Sequence, residues 1–196
     1  MTHAEFIALV RQNPIIDTIL ARLPDVGLPD TWIVSSSLPQ TIWNMEDGHL
    51  PTRGIKDYDV FYFDDADLSW AAEDAVIQQC ARAFKDLDAE IEVRNQARVH
   101  LWFPQHFGFE GYAPLKSSRD GIDRFLGCCH TLGVGPDLDG GIRVHAPFGF
   151  EDLQARILRP NPKALGPVHT YEEKAARWKR SWPDLEVLPP SPEWPI

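Results

Sequence analysis

The 196-residue sequence has no apolar run near the roughly 18 residues that a membrane-spanning helix requires, so no membrane partner is expected. Cysteine is scarce. Cys128 and Cys129 are adjacent and Cys80 stands alone, which gives neither a CxxC pair nor an even framework, so a disulfide scaffold and a zinc ribbon are both excluded. The three are expected to be reduced core residues. His106, His130, His145 and His169 show no HxH or HExxH spacing, which removes zinc chemistry. Basic residues are outnumbered, with 19 Lys and Arg against 29 Asp and Glu and a formal net charge of −10. That balance opposes a surface built to neutralise a long nucleic-acid backbone. The amino-terminal stretch has no basic segment followed by a long apolar one, so no secretory signal is read there and a cytoplasmic location is the expectation. There is no internal repeat.

What is present is enough apolar residue, 43%, and enough aromatic residue, 11%, to bury one sizeable core. Apolar spacing predicts helices over 3–12 and 14–23, interrupted by Pro14. A short β-prone run at 31–34 ends in Ser35, Ser36 and Ser37, followed by a predicted helix over 38–46 with a serine as cap and Pro39 in the first turn. Residues 58–63 carry the strongest strand signal, and 69–87 a helix free of Gly and Pro with Ser69 as cap. Residues 89–103 read as β-prone, as two strands or one long bent strand. Short helices are expected at 118–126 and 150–158, a short strand at 141–145, and a polar helix at 170–182. Many of the 17 prolines fall after Arg159, where they exclude regular structure from the tail. The expected organisation is a domain over 1–162 with a C-terminal helix and Pro/Trp-rich tail, 163–196, packed on it.

The chemistry-bearing pattern is a set of acids. Asp57 and Asp59 lie two residues apart at the start of the strong strand, so both point to one face with Cα atoms roughly 6–7 Å apart. Two such carboxylates repel, and the repulsion becomes attraction around Mg²⁺ or Mn²⁺, which prefer oxygen ligands. Glu92, on a second β-prone segment one helix later, is placed to bring a third carboxylate to them. A DxD pair alone is more often a solvated strand edge. Its order here adds weight: strand, small-residue turn and helix, then the acid pair, then a helix leading to Ile91-Glu92-Val93. A serine turn at a helix start suits phosphate.

This succession resembles the nucleotidyltransferase fold superfamily that includes DNA polymerase beta, kanamycin nucleotidyltransferase and poly(A) polymerases. Thr41-Ile42-Trp43-Asn44, Ile55 to Val60 (IKDYDV), Asn95 to Trp102 (NQARVHLW), Ala146 to Leu153 (APFGFEDL) and Arg159-Pro160-Asn161-Pro162 look like the signature blocks of one small nucleotidyltransferase-like family within it, formerly labelled a domain of unknown function. The resemblance implies an α+β nucleotidyltransferase fold, a mixed β-sheet flanked by helices. It also implies metals on Asp57 and Asp59, Glu92 as third acid, and a triphosphate held at Ser36 and Ser37. The family usually has Gly in that turn, and the serines here bear on phosphate cradling more than on the fold.

Arg98 and His100 alternate on the NQARVHLW segment and are expected to point together. Either they face the cleft, Arg98 neutralising a phosphate and His100 donating a hydrogen bond, or Arg98 pairs structurally with one of the acids. Asn95 and Gln96 read as partners for backbone groups, Glu151 and Asp152 as acids at a helix start, and Trp32, Trp43, Trp70 and Trp102 as core. The leading function is transfer of a nucleotidyl group from an NTP, with Mg²⁺ or Mn²⁺, to a small-molecule or protein hydroxyl. The alternatives are a degenerate relative that binds a small ligand or runs another reaction in its acidic cleft, and an interaction module presented by the tail.

Overall fold

The computed structural model describes residues 1–108, 111–190 and 194. Helix α1 (His3–Val10) begins at Thr2, whose side chain and Glu5 form a reciprocal capping box. Helix α2 (Pro14–Val26) begins at Asn13, whose side chain accepts the Ile15 and Ile16 N–H groups. The Asn13 amide is buried and also donates to Thr41 Oγ1 at 2.9 Å and Tyr58 OH at 3.1 Å, which ties this helix start to the sheet. Strand β1 (Trp32–Val34) runs into α3 (Ser37–Glu46), then β2 (Asp57–Tyr62), α4 (Trp70–Ala83) and β3 (Glu90–Asn95). Ser69 caps α4 as its sequence implied.

The β-prone segment 89–103 is a strand only as far as Asn95. Asn95 Oδ1 accepts the Ala97 N–H, a 3-10 turn covers Gln96–Arg98, and helix α5 (Val99–Phe107) follows. An Asn side chain at a helix start offers the backbone an alternative to the ladder, and this outweighs the β-propensity of VHLWF. Arg98 and His100 therefore do not alternate on a strand. Helix α6 (Ser118–Ile122), β4 (Gly133–Pro136), β5 (Ile142–His145), α7 (Glu151–Ala155), β6 (Ile157–Leu158), α8 (Val168–Ser181) and β7 (Glu186–Val187) complete the described elements. The helix expected over 150–158 stops at Ala155 because Arg156 is left-handed (φ 53°). The tail is not devoid of regular structure: β7 pairs in parallel with β6.

The main sheet has the order β3-β2-β1-β4-β5, with β2 and β3 parallel and the other pairs antiparallel. It is a mixed sheet flanked by helices. Along β2, Tyr58, Val60 and Tyr62 are buried in the main core with residues of α2, α3 and α4. Asp57, Asp59 and Phe61 alternate to the opposite face, where Phe61 joins Trp32, Val34, Ile122 and Phe125 in a second, smaller cluster. The C-terminal helix is fastened through aromatic side chains. Trp43 lies edge-on to Trp178 and Trp182 at 5.3 and 5.4 Å, and its Nε1 donates to Leu153 O. Trp194 donates to Gly166 O at 2.8 Å. Trp70 and Trp102, read from sequence as core, are exposed.

Candidate functional site

Pairing in register sets Asp57 opposite Glu90, Asp59 opposite Glu92 and Phe61 opposite Arg94, all on one face of the sheet. The parallel β2–β3 pair thus does what the spacing of the sequence could only suggest: Glu92 stands beside the acid pair. Val34, the last residue of β1, pairs with Asp59 from the other side. Because Val34 leads directly into the serine turn and α3, the turn begins where the acids are.

Ser35 has φ 68°, the left-handed conformation that a glycine would adopt freely and that costs an L-residue about 1–2 kcal/mol. The serine chain keeps the turn and bears its strain. The expected serine cap on α3 is not made. Ser36 is the residue before the helix, its backbone is already helical, and its hydroxyl bonds to no helix N–H. Instead Ser36 Oγ accepts a hydrogen bond from Lys174 Nζ at 2.7 Å. Ser35, Ser36 and Ser37 are all buried.

Lys174 is a candidate site residue that sequence reading missed. Nothing in TYEEKAARWKRSW marks one cation among four; only the docking of α8 does. Burial, with the neighbouring Arg177, draws the Lys174 ammonium below its usual range, and Asp59 and Asp57 oppose that. Burial, then Asp57, pushes Asp59 above the usual carboxylate range, and Lys174 opposes the rise. Burial thus moves the two groups in opposite directions, and each charge opposes the shift of the other.

The remaining expected residues divide. Glu92 lies 3.6 Å from Arg94 Nη2, and Asp57 is 2.9 Å from Lys56 Nζ. Among the described residues no three His, Cys, Asp or Glu side chains close up as a metal cage. Arg98 is buried and is bound away from the acids: it pairs with Glu73 of α4 and donates to Leu68 O at 2.9 Å. Glu73 also accepts the Asn95 N–H at 2.9 Å, so this pair anchors the turn from β3 into α5. His100 sits in α5 with its Nδ1 buried and unpartnered, and it does not line the cavity beside Glu92. That cavity, about 290 Å³, opens between the sheet face, α5, the 121–126 segment and the start of α8. A larger one of about 750 Å³ lies between α2 and the β4–β5 turn and contains none of the acids.

The mixed sheet flanked by helices, with a strand, tight turn and helix beside its centre, has the nucleotidyltransferase fold. The chain belongs to the nucleotidyltransferase family, whose profile matches residues 21–187. An NMR structure described as revealing a CCA-adding enzyme head domain superposes with a TM-score of 0.77 at 24% identity, covering 96% of this chain and 97% of that one. A tRNA-processing enzyme in an apo form covers 87% of this chain and 44% of its own, at 12% identity and a TM-score of 0.48. No curated relative matches the chain. Family and fold support nucleotidyl transfer in general.

Proposed function

We propose that the chain transfers a nucleotidyl group from an NTP to a hydroxyl of a small molecule or a protein side chain, with Mg²⁺ or Mn²⁺ held at Asp57 and Asp59. The observation that carries this reading is the register that sets Asp59 beside Glu92 on one sheet face, next to a lysine seated on the serine turn. The donor set suits a hard cation. Two repelling carboxylates on one strand, one of them pushed up by burial and by the other, are relieved by a divalent charge. One or two protein carboxylates suffice for Mg²⁺ when substrate phosphates supply further oxygens. Bound there, the cation would offset the charge on the triphosphate and on departing pyrophosphate.

The chain's own groups supply the rest. The Lys174 ammonium and the Ser36 hydroxyl bind phosphate oxygens at the start of α3, where the helix end favours an anion. Glu92 orients the acceptor hydroxyl and takes its proton. The acceptor oxygen bonds to the α-phosphorus, the bond from that phosphorus to the bridging oxygen breaks, and pyrophosphate leaves with the electron pair. A net charge of −10 favours a small or protein acceptor over a long RNA. The CCA-adding neighbour makes RNA the comparison to run.

The test is thermal melting with each NTP and Mg²⁺ or Mn²⁺, followed by assay of pyrophosphate release. Wild type should melt higher with metal and nucleotide together, and Asp59→Asn should abolish the shift. No shift with any NTP and either metal would defeat the reading. A shift without pyrophosphate release for any acceptor would mark the chain as a binding protein only.

A further inference from the structure

Trp70 and Trp102 are exposed where a core role was expected, and they are not isolated on the surface. Among the described residues the large apolar side chains left exposed are Leu50, Trp70, Leu101, Trp102 and Leu138. Three of these gather around the start of α5. Arg98, the residue before that helix, holds its guanidinium 5.6 Å from the centre of the Trp70 ring. Leu101 and Trp102 follow at the i+3 and i+4 spacing that places side chains next to Arg98 on the helix surface. The two indoles and the leucine therefore flank Arg98 where α4 meets α5. Single exposed apolar side chains are ordinary, whereas a group containing two tryptophans marks a surface that something covers.

Charge around the patch selects what covers it. From Asp64 to Ala81 the chain carries Asp64, Asp65, Asp67, Glu73 and Asp74 and no Lys or Arg. Asp67 closely precedes Trp70, and Asp74 follows it by one helical turn on the same face of α4. Among the described residues Asp64, Asp65, Asp67 and Asp74 form no ion pair. Cations near the patch are already held, Arg98 by Glu73 and, in the neighbouring cavity wall, Arg94 by Glu92 at 3.6 Å. An acidic rim repels nucleic acid and anionic lipid, and it repels a second copy of the same patch across a two-fold axis. What remains is a cationic occupant. Indole faces add to that preference, because they attract ammonium and guanidinium groups.

We infer that Trp70, Leu101 and Trp102 form a docking surface for a basic amphipathic segment of a partner protein. Its apolar side chains rest on the indoles and its Lys or Arg groups reach Asp65, Asp67 and Asp74. Trp102 is also a wall of the cavity that opens on Glu92, so a partner seated here borders the acid site. None of the docking residues takes part in the metal or phosphate chemistry, and the surface is independent of nucleotidyl transfer.

The test is fluorescence anisotropy of the full chain with two labelled helical peptides, one built of Lys and Leu at amphipathic spacing and the other with Glu in place of Lys. The Lys/Leu peptide should bind and the Glu/Leu peptide should not. Trp70→Ser and Leu101→Ser should each weaken binding at least about tenfold, as loss of an aromatic or apolar anchor does. Leu50→Ser and Leu138→Ser, at exposed apolar positions outside the patch, should leave it unchanged. Asp65→Asn with Asp74→Asn should weaken it and flatten its salt dependence. Leu101→Ser carries the test alone if Trp70→Ser, which uncovers Arg98, loses its cooperative melt. Absence of binding, equal binding of the two peptides, or equal affinity in folded Leu101→Ser refutes the surface. A dimer in light scattering, or sedimentation with phosphatidylserine vesicles, that Leu101→Ser abolishes would give the patch to a second copy or to lipid and refute it as well.

Discussion

Ser35 occupies a backbone conformation that only glycine adopts without penalty, and its replacement should separate turn strain from hydroxyl chemistry. At φ 68° an L-residue pays about 1–2 kcal/mol, which Ser35→Gly relieves and Ser35→Ala retains. Glycine adds conformational freedom to the unfolded chain, worth about 0.4–1 kcal/mol in the opposite direction. Both variants lose the 3.4 Å contact between the Ser35 and Ser36 hydroxyls, so that loss cancels between them. At the midpoints of those ranges the balance leaves Ser35→Gly about 0.8 kcal/mol more stable than Ser35→Ala. For a chain of this size that is a melting point about 1–4 °C higher, readable by calorimetry at one pH and buffer. Glycine should also leave the metal and nucleotide shift intact, because the turn keeps its path beside Val34 and Asp59. An alanine variant that melts at or above the glycine variant would show that Ser35 is not held left-handed, and the strained-turn account would be lost.

Two further outcomes follow from buried groups. His130 is stacked on Phe125 and edge-on to Trp178, and burial, helped by Lys174 and Arg177, holds its imidazole well below the usual histidine range. The unfolded chain takes up a proton near pH 6.5 that the folded chain refuses, so stability from this group is complete above that pH and declines below it by about 1.4 kcal/mol per pH unit. Melting curves from pH 7 to 5 should therefore be steeper for wild type than for His130→Phe; parallel curves would contradict the assignment. Glu73→Ala leaves the buried Arg98 guanidinium unpaired and frees the Asn95 N–H, with an expected loss of about 3–5 kcal/mol in urea unfolding, and a loss under about 1 kcal/mol would deny the pair its anchoring role.

The sites where sequence reading succeeded are those where local pattern decides. Alternation in Asp57 to Tyr62 placed both aspartates on one face before any tertiary contact was known, since the side-chain period of a strand is fixed at two. Ser69 marks a helix start, and the order of strand, small-residue turn, helix and acid pair carries the resemblance to the superfamily. Reading failed where distant groups competed. Arg98 and His100 looked like neighbours on a strand because VHLWF favours one, yet Asn95 turns the chain into a helix and Glu73, from another element, claims Arg98. The proline-rich tail looked structureless, yet Tyr171 OH reaches both Leu158 O and Leu188 O at 2.8 and 2.7 Å and holds a short parallel strand against β6.

By itself the sequence determined the charge balance, the element order around the acids and the face on which Asp57 and Asp59 lie, because these depend on composition and on repeats of two or 3.6 residues. Only the tertiary structure decided that Glu92 stands beside Asp59, that Lys174 reaches across 138 positions to Ser36, and that an aromatic cavity continues from the acids. Strand register and helix docking are set by the joint packing of a buried core, and no local window of residues contains that information.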